Sequence, residues 1–583
     1  MRDDPHSYAD VSQGRIERAE ILWTVDFESQ RLRGEVRLTL SEATKGPLDL
    51  DTRDLQVEAV VSGDAPLAFE LGEPHPFMGQ RLRIERDRPV KELRITYATS
   101  PEASGLMWLK PEQTTGGQLP FLLSQCQAIH ARSLVPLQDT PRVRVTYGAE
   151  VSLPETMAAV MSAGPPEEIA RADGTKTLRF EMPQPIPPYL LAIAVGDIAS
   201  QDIGARTRVY AEPAELEAVA WEFAEAEQML EAAEKLFGPY RWERYDFIVL
   251  PPAFPYGGME NPRMTFLTPT LVAGDRSLVS VLAHELAHSW TGNLVTNASN
   301  EDFWLNEGFT VYAERRLIEA LYGAPDATLH ARLGRLELEE VLGERQAQGR
   351  PTALWYDQTD LDPDGEFSRV PYEKGFLFVT ALERAVGREA FDAFLQRYIE
   401  RFAFQSLDTR GFESFVREAL PGAEIDLETW LYGEGLPDDA PDFPSPRLQQ
   451  LGELARSWKP GQPLRSDDWN VTETMLFLQS LRPLGAEGTE LVAEALGLRK
   501  TQNAELQCLW LSRAIEAEVE GVEPEVRAFV GRIGRTKLLR PVFAALAERD
   551  DLKAFTRELI DNHQPRWHVA TRRAVRHVTG LAA

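Results

Sequence analysis

His284-Glu285-Leu286-Ala287-His288 is the segment of this chain best equipped to do chemistry. Four residues advance an α-helix by about one turn, so both imidazoles leave the same face at a spacing that suits one tetrahedral zinc ion. Glu285 stands beside them, outside the ligand pair, where a carboxylate can take a proton from water. A catalytic zinc has three protein ligands and one open position, so a third ligand is required downstream. Glu307 supplies it, with eighteen residues intervening after His288, in Trp304-Leu-Asn-Glu-Gly-Phe-Thr-Val-Tyr-Ala-Glu314. Glu307 and Glu314 then lie two helical turns apart on one face. Glu314 is expected behind the ligands, accepting the second N–H of an imidazole.

Elements of two kinds must position these groups. Residues 1–198 read as a β domain: Val36, Leu38 and Leu40 alternate with polar neighbours, as do Val143 and Val145 after Pro141. From about Glu212 the period becomes helical, through Leu216, Val219, Phe223, Met229, Leu230 and Leu236, until Gly238-Pro239 ends the run. The helix bearing His284 and His288 is expected between Asp275, as N-cap, and Gly292. Residues 199–435 thus form a mostly helical catalytic domain. Residues 436–447 hold four prolines and no periodicity, which predicts an extended linker. Residues 448–583 return to short amphipathic helices around Leu476, Val492, Leu506, Val526, Val542, Phe555 and Val575, a layered helical array.

At 583 residues the chain exceeds one hydrophobic core, and its apolar and charged fractions are those of a globular protein. A formal charge of -29 repels nucleic acid and anionic lipid, so neither is expected as a partner. Cys126 and Cys508 are the only cysteines and offer no disulfide framework, which fits a reducing cytoplasm. The start, Met-Arg-Asp-Asp-Pro-His-Ser-Tyr, lacks the pattern of a secretion signal, and the apolar run Leu190–Val195 is far too short to span a bilayer. A soluble, cytoplasmic monomer is expected. Asn297-Ala-Ser and Asn470-Val-Thr match the glycosylation pattern and are read as chance matches.

Pro255-Tyr-Gly-Gly-Met-Glu-Asn-Pro262, His284-Glu-Leu-Ala-His288, Glu307 and Val370-Pro-Tyr-Glu-Lys-Gly375 together resemble the M1 zinc aminopeptidases. Ser124-Gln-Cys-Gln-Ala-Ile-His130, Asp139-Thr-Pro141 and Gly534-Arg-Thr-Lys-Leu-Leu-Arg-Pro541 are similar to segments of the leukotriene-A(4) hydrolase branch. The resemblance implies an α+β multidomain fold: a β saddle-like N-terminal domain, a thermolysin-like catalytic domain and a C-terminal α-helical superhelix of armadillo or HEAT type.

It also implies roles. One zinc per chain is held by His284, His288 and Glu307, with Glu285 as general base. Tyr372 matches the catalytic tyrosine, a donor to the oxyanion. Glu260 matches the carboxylate that pairs with the α-ammonium group of a peptide, which fixes cleavage one residue from a free N-terminus, and Gln127 matches its assistant. Ala128, Tyr256, Gly257, Gly258 and Met259 lie in the same substrate segments, the glycines allowing close backbone approach. Asp364 matches a residue of the first side-chain pocket, where an acid favours arginine. Arg535 and Lys537 match a basic pair that holds a short peptide's C-terminal carboxylate.

Three other functions compete with aminopeptidase. Epoxide hydrolysis of a lipid belongs to the same branch, but a tyrosine of its lipid site is replaced here by Phe367, which has no hydroxyl. A noncatalytic scaffold would be expected to have lost a catalytic residue, and none is missing. A zinc endopeptidase of thermolysin type would not need Glu260.

Overall fold

The computed structural model describes residues 4–466 and 468–581; Met1, Arg2 and Asp3, read above for a secretion signal, lie outside them, as do Asp467, Ala582 and Ala583. The first region is built on period-two strands. Val36, Leu38 and Leu40 are all fully buried in the long strand Arg31–Thr52, which pairs antiparallel with Ile16–Asp26 and Gln80–Ala98. Ile16–Asp26 pairs parallel with Val145–Pro154 on its other edge. Among the described residues this sheet has nine strands, and a smaller sheet of four contains Phe121–Ser124 and Ile193–Gly196.

A five-stranded sheet opens the second region in the order Ala199–Asp202, Arg208–Ala211, Phe247–Val249, Thr265–Leu267, Gly258–Met259. Gly258–Met259 is thus an edge strand, paired among the described residues only with Thr265–Leu267. Beside it the helices Val279–Ala287 and Trp304–Tyr322 carry the two halves of the metal motif. The helical run expected up to Gly238 is present as two helices, Leu216–Glu222 and Ala226–Phe237, and stops where Gly238 takes φ +94°.

Asp275 does not cap the helix of His284. Its carboxylate is taken by the amide and hydroxyl of Ser277, a local turn, and the helix starts only after Leu278. The helix also ends at Ala287, so His288 occupies its C-terminal cap.

Residues 436–445 carry no regular element, yet they are not loose. Leu436, Ala440 and Phe443 pack against the core, and the Phe443 ring stacks on Phe376 at 5.5 Å. Beyond them come, among the described residues, Pro446–Ser457 and seven further α-helices, including Val471–Ser480, Ala504–Glu516 and Thr536–Ala547, around a separate apolar core. The architecture is the expected one: a β-rich first region, a mixed second and a helical third. Neither glycosylation match is an open loop: Asn297 is buried and Asn470 caps the helix Val471–Ser480.

Candidate active site

The helix Val279–Ala287 and the first turn of Trp304–Tyr322 bring three donors to one point. His284 Nε2 and His288 Nε2 are 3.2 Å apart, and Glu307 Oε2 lies 3.3 Å from the first and 3.6 Å from the second. Ligands about 2.0 to 2.1 Å from a tetrahedral zinc are separated by about 3.4 Å, so the triangle has the size that zinc requires. Glu307 Oε2 is buried and has no hydrogen-bond partner, the state of a ligand atom.

Backbone and side-chain acceptors fix each ring. His284 Nδ1 is 3.0 Å from Glu314 Oε2. His288 Nδ1 is 3.1 Å from the Thr291 carbonyl and 3.1 Å from the Thr310 hydroxyl. Both Nδ1 atoms therefore donate outward and both Nε2 lone pairs face the centre. Burial pushes His288 down to about 4, which keeps the ring in its neutral, ligating form. Burial alone would raise Glu314, but Arg315 and His284 outweigh it and hold the carboxyl at about 2.

Two further carboxylates crowd this centre. Glu285 and Glu260 are both buried, and each offers an oxygen close to His288. Burial raises both carboxyls, and their negative neighbours add to the shift. Among the described residues no lysine or arginine pairs with Glu285, Glu260 or Glu307, so the raised carboxyls ionise fully only when cations enter the cluster. Gln127, on the loop after Phe121–Ser124, reaches Glu260 Oε1 with its amide at 3.4 Å. Asn293 donates to the Glu260 carbonyl at 2.7 Å, and the buried Arg144 holds the Asn293 carbonyl at 2.6 Å. The β-rich region thereby shapes the site's floor.

Both glycines are closely approached by side chains of the chain itself. A Cβ on Gly258 would meet Glu285 Oε1 at 2.3 Å, and one on Gly257 would meet Arg535 Nη2 at 2.8 Å. Met259 is buried, its sulfur 3.1 Å from the Gln125 amide, while the Tyr256 ring lies 6.5 Å from that of His568.

Tyr372 sits in a π-helical turn, Val370–Lys374, of the kind found where a helix is distorted for function. Its ring is nearly parallel to that of His284, with centroids 6.2 Å apart. Burial, reinforced by Glu307, raises the phenol far above its ordinary value, so the hydroxyl stays protonated and can donate. Ala128 lines a cavity with Gln127, Tyr189 and Phe303 beside this group.

The basic pair is more complex than expected. Arg535 is buried and donates to Glu505 at 3.2 Å and to Thr270 at 3.3 Å. Lys537 pairs with the same carboxylate at 3.2 Å from a side chain that is 53% exposed. Arg535 packs against Gly257; Lys537 is joined to it through Glu505. Asp364 is also not a free acid, since His130 occupies it. Nothing in the spacing of Glu505, Thr291 or Thr310 announces them, whereas His130 stands inside a segment already singled out.

Three donors of zinc-ligand type on two helices, beside carboxylates and an edge strand, define a metal-dependent hydrolase. Family models match along the chain: the peptidase M1 N-terminal domain at residues 15–190, the peptidase family M1 domain at 221–430 and the leukotriene A4 hydrolase C-terminal domain at 469–578. Leukotriene A-4 hydrolase of Xenopus laevis is 38% identical over 569 residues, 93% of each chain. Leucine aminopeptidase 2 of Pyricularia oryzae is 37% identical over 580 residues, covering 95% of this chain and 94% of its own. The solved structure of yeast LTA4 hydrolase in complex with bestatin superposes with a TM-score of 0.92 at 33% identity, covering 99% of this chain and 97% of the other. The chain belongs to peptidase family M1, in the branch that holds leukotriene A4 hydrolases. It is a hydrolase, a zinc aminopeptidase that acts on peptides and uses one zinc ion. No described helix is long and apolar enough to cross a membrane.

Proposed function

We propose that the chain removes the N-terminal residue from short peptides, tripeptides to oligopeptides, with His284, His288 and Glu307 holding zinc and Glu285 as the base. The observation that carries this is the triangle of donors at 3.2, 3.3 and 3.6 Å with two further buried carboxylates, Glu260 and Glu285, at its side. When bound, zinc acidifies water and polarises the scissile carbonyl. Glu285 takes the proton and returns it to the leaving amine. Glu260, helped by Gln127, receives the α-ammonium group, which supplies the cation that its burial demands. The Tyr372 hydroxyl donates to the developing oxyanion. Gly258–Met259, an edge strand, offers backbone groups along which a peptide can lie. Arg535 receives the peptide's carboxylate, and Asp364 lines the first side-chain pocket.

Peptidase is favoured over lipid epoxide hydrolysis because Phe367, whose ring is 5.8 Å from that of Tyr372, has no hydroxyl. We place the domain limits at 198, 435 and 447; the five-stranded sheet begins at Ala199, and the helix starting at Pro446 takes up the last two residues of the linker. Cys126 and Cys508, both buried and free, suit a reducing cytoplasm; a monomer is our reading. A panel of aminoacyl-coumarins with N-acetylated controls tests the proposal. Free amines should be hydrolysed and a chelator should stop turnover until zinc is restored. Hydrolysis of the acetylated substrates at a comparable rate would mean an endopeptidase.

A further inference from the structure

His130 and Asp364 join two segments that reach the site. His130 lies three residues after Gln127, which reaches Glu260, and Asp364 lies three residues before Phe367, which packs against Tyr372. The imidazole is held from both ends: Ser104 Oγ is 2.8 Å from Nδ1, and Nε2 lies 3.0 and 3.2 Å from the two oxygens of Asp364. Its side chain is only 10% exposed, whereas Asp364 is 41% exposed. The Asp364 carboxylate is thus partly exposed, with its best acceptor position already filled. Burial would raise this carboxyl, but the His130 hydrogen bond and the positive groups around it hold it below its ordinary value.

An arginine side chain is recognised by a free carboxylate through two parallel N–H···O bonds, one to each oxygen. Nε2 of His130, almost equidistant from both oxygens, sits where that fork would dock. We propose that His130 is a specificity-determining residue: by occupying Asp364 it turns the first pocket away from arginine and toward uncharged side chains. This rests on the reading that Asp364 lines that pocket, and it reverses the preference for arginine that an acid in that place suggests. Ser104 takes part by fixing the ring, so that rotation cannot release the carboxylate.

The test is the ratio of kcat/KM for arginyl-coumarin to that for leucyl-coumarin, which cancels any loss of folded enzyme. H130A should raise the ratio about tenfold or more, the worth of one charge-assisted contact, and D364N added to H130A should return it to within about threefold of the parent. If H130A yields no folded enzyme, H130L keeps the bulk, cannot donate and gives the same readout. D364K separates the two levels of the claim by favouring glutamyl- over arginyl-coumarin wherever residue 364 faces the first side chain. A D364K enzyme with an unchanged panel removes Asp364 from the pocket, and the proposal with it. A D364K shift with an unchanged ratio in H130A overturns the role of His130 alone. So does a rise in H130A that survives D364N.

Discussion

The α-carbon of Gly258 faces the carboxylate of Glu285 so closely that a Cβ there would lie 2.3 Å from Oε1, 2.5 Å from Cδ and 2.6 Å from Cγ. Glu285 is buried, so its side chain has little freedom to retreat. G258A should therefore misplace the base while sparing the metal. A displacement of about 1 Å costs roughly a hundredfold in rate. The expected result is a full zinc content with kcat lowered by about that factor. An unchanged kcat would show that Glu285 moves without consequence.

Glu314 fixes His284 through a 3.0 Å contact to Nδ1 and does not touch the donor triangle. E314Q keeps the shape, removes the charge and should weaken zinc retention by about ten- to a hundredfold. Competition with a chromogenic chelator reads this. An affinity equal to the parent's would make the contact incidental.

Tyr372→Phe deletes one hydroxyl and leaves the ring packed near that of His284. If the hydroxyl meets the oxyanion, kcat should fall by roughly two to three orders of magnitude with little change in KM. A change confined to KM would assign Tyr372 to binding of the ground state.

Arg535 links the C-terminal helices to the substrate strand. R535A should lower kcat/KM for a tripeptide at least about tenfold, since a charge-assisted bond to its carboxylate is lost. An aminoacyl-coumarin has no carboxylate and should be spared by comparison. Equal losses on both would make Arg535 structural, a role to which its bonds to Glu505 and Thr270 would then belong.

The residues legible in the sequence are those whose partners lie on the same helix. His284, Glu285 and His288 are fixed by helical geometry, as are Glu307 and Glu314, and the periodicity of Val36, Leu38 and Leu40 locates the first sheet. The helix start was not legible, because Asp275 is as good a partner for Ser277 as for a helix N-terminus. Contacts between distant segments leave no periodic trace. Glu505 meets Arg535 across 30 residues, His130 meets Asp364 across 234, and Gly257 and Gly258 answer to side chains elsewhere in the chain. A glycine pair announces close approach, but only the fold says to what.

Turnover of zinc-loaded Glu285→Gln on leucyl-coumarin is the most direct test of Glu285 as the base. The amide has the size of the carboxylate and cannot accept the water's proton. The predicted result is one zinc per chain, as in the parent, with kcat lower by at least about a thousandfold. A zinc-loaded variant within tenfold of the parent rate would contradict it, because another group would then have to be the base.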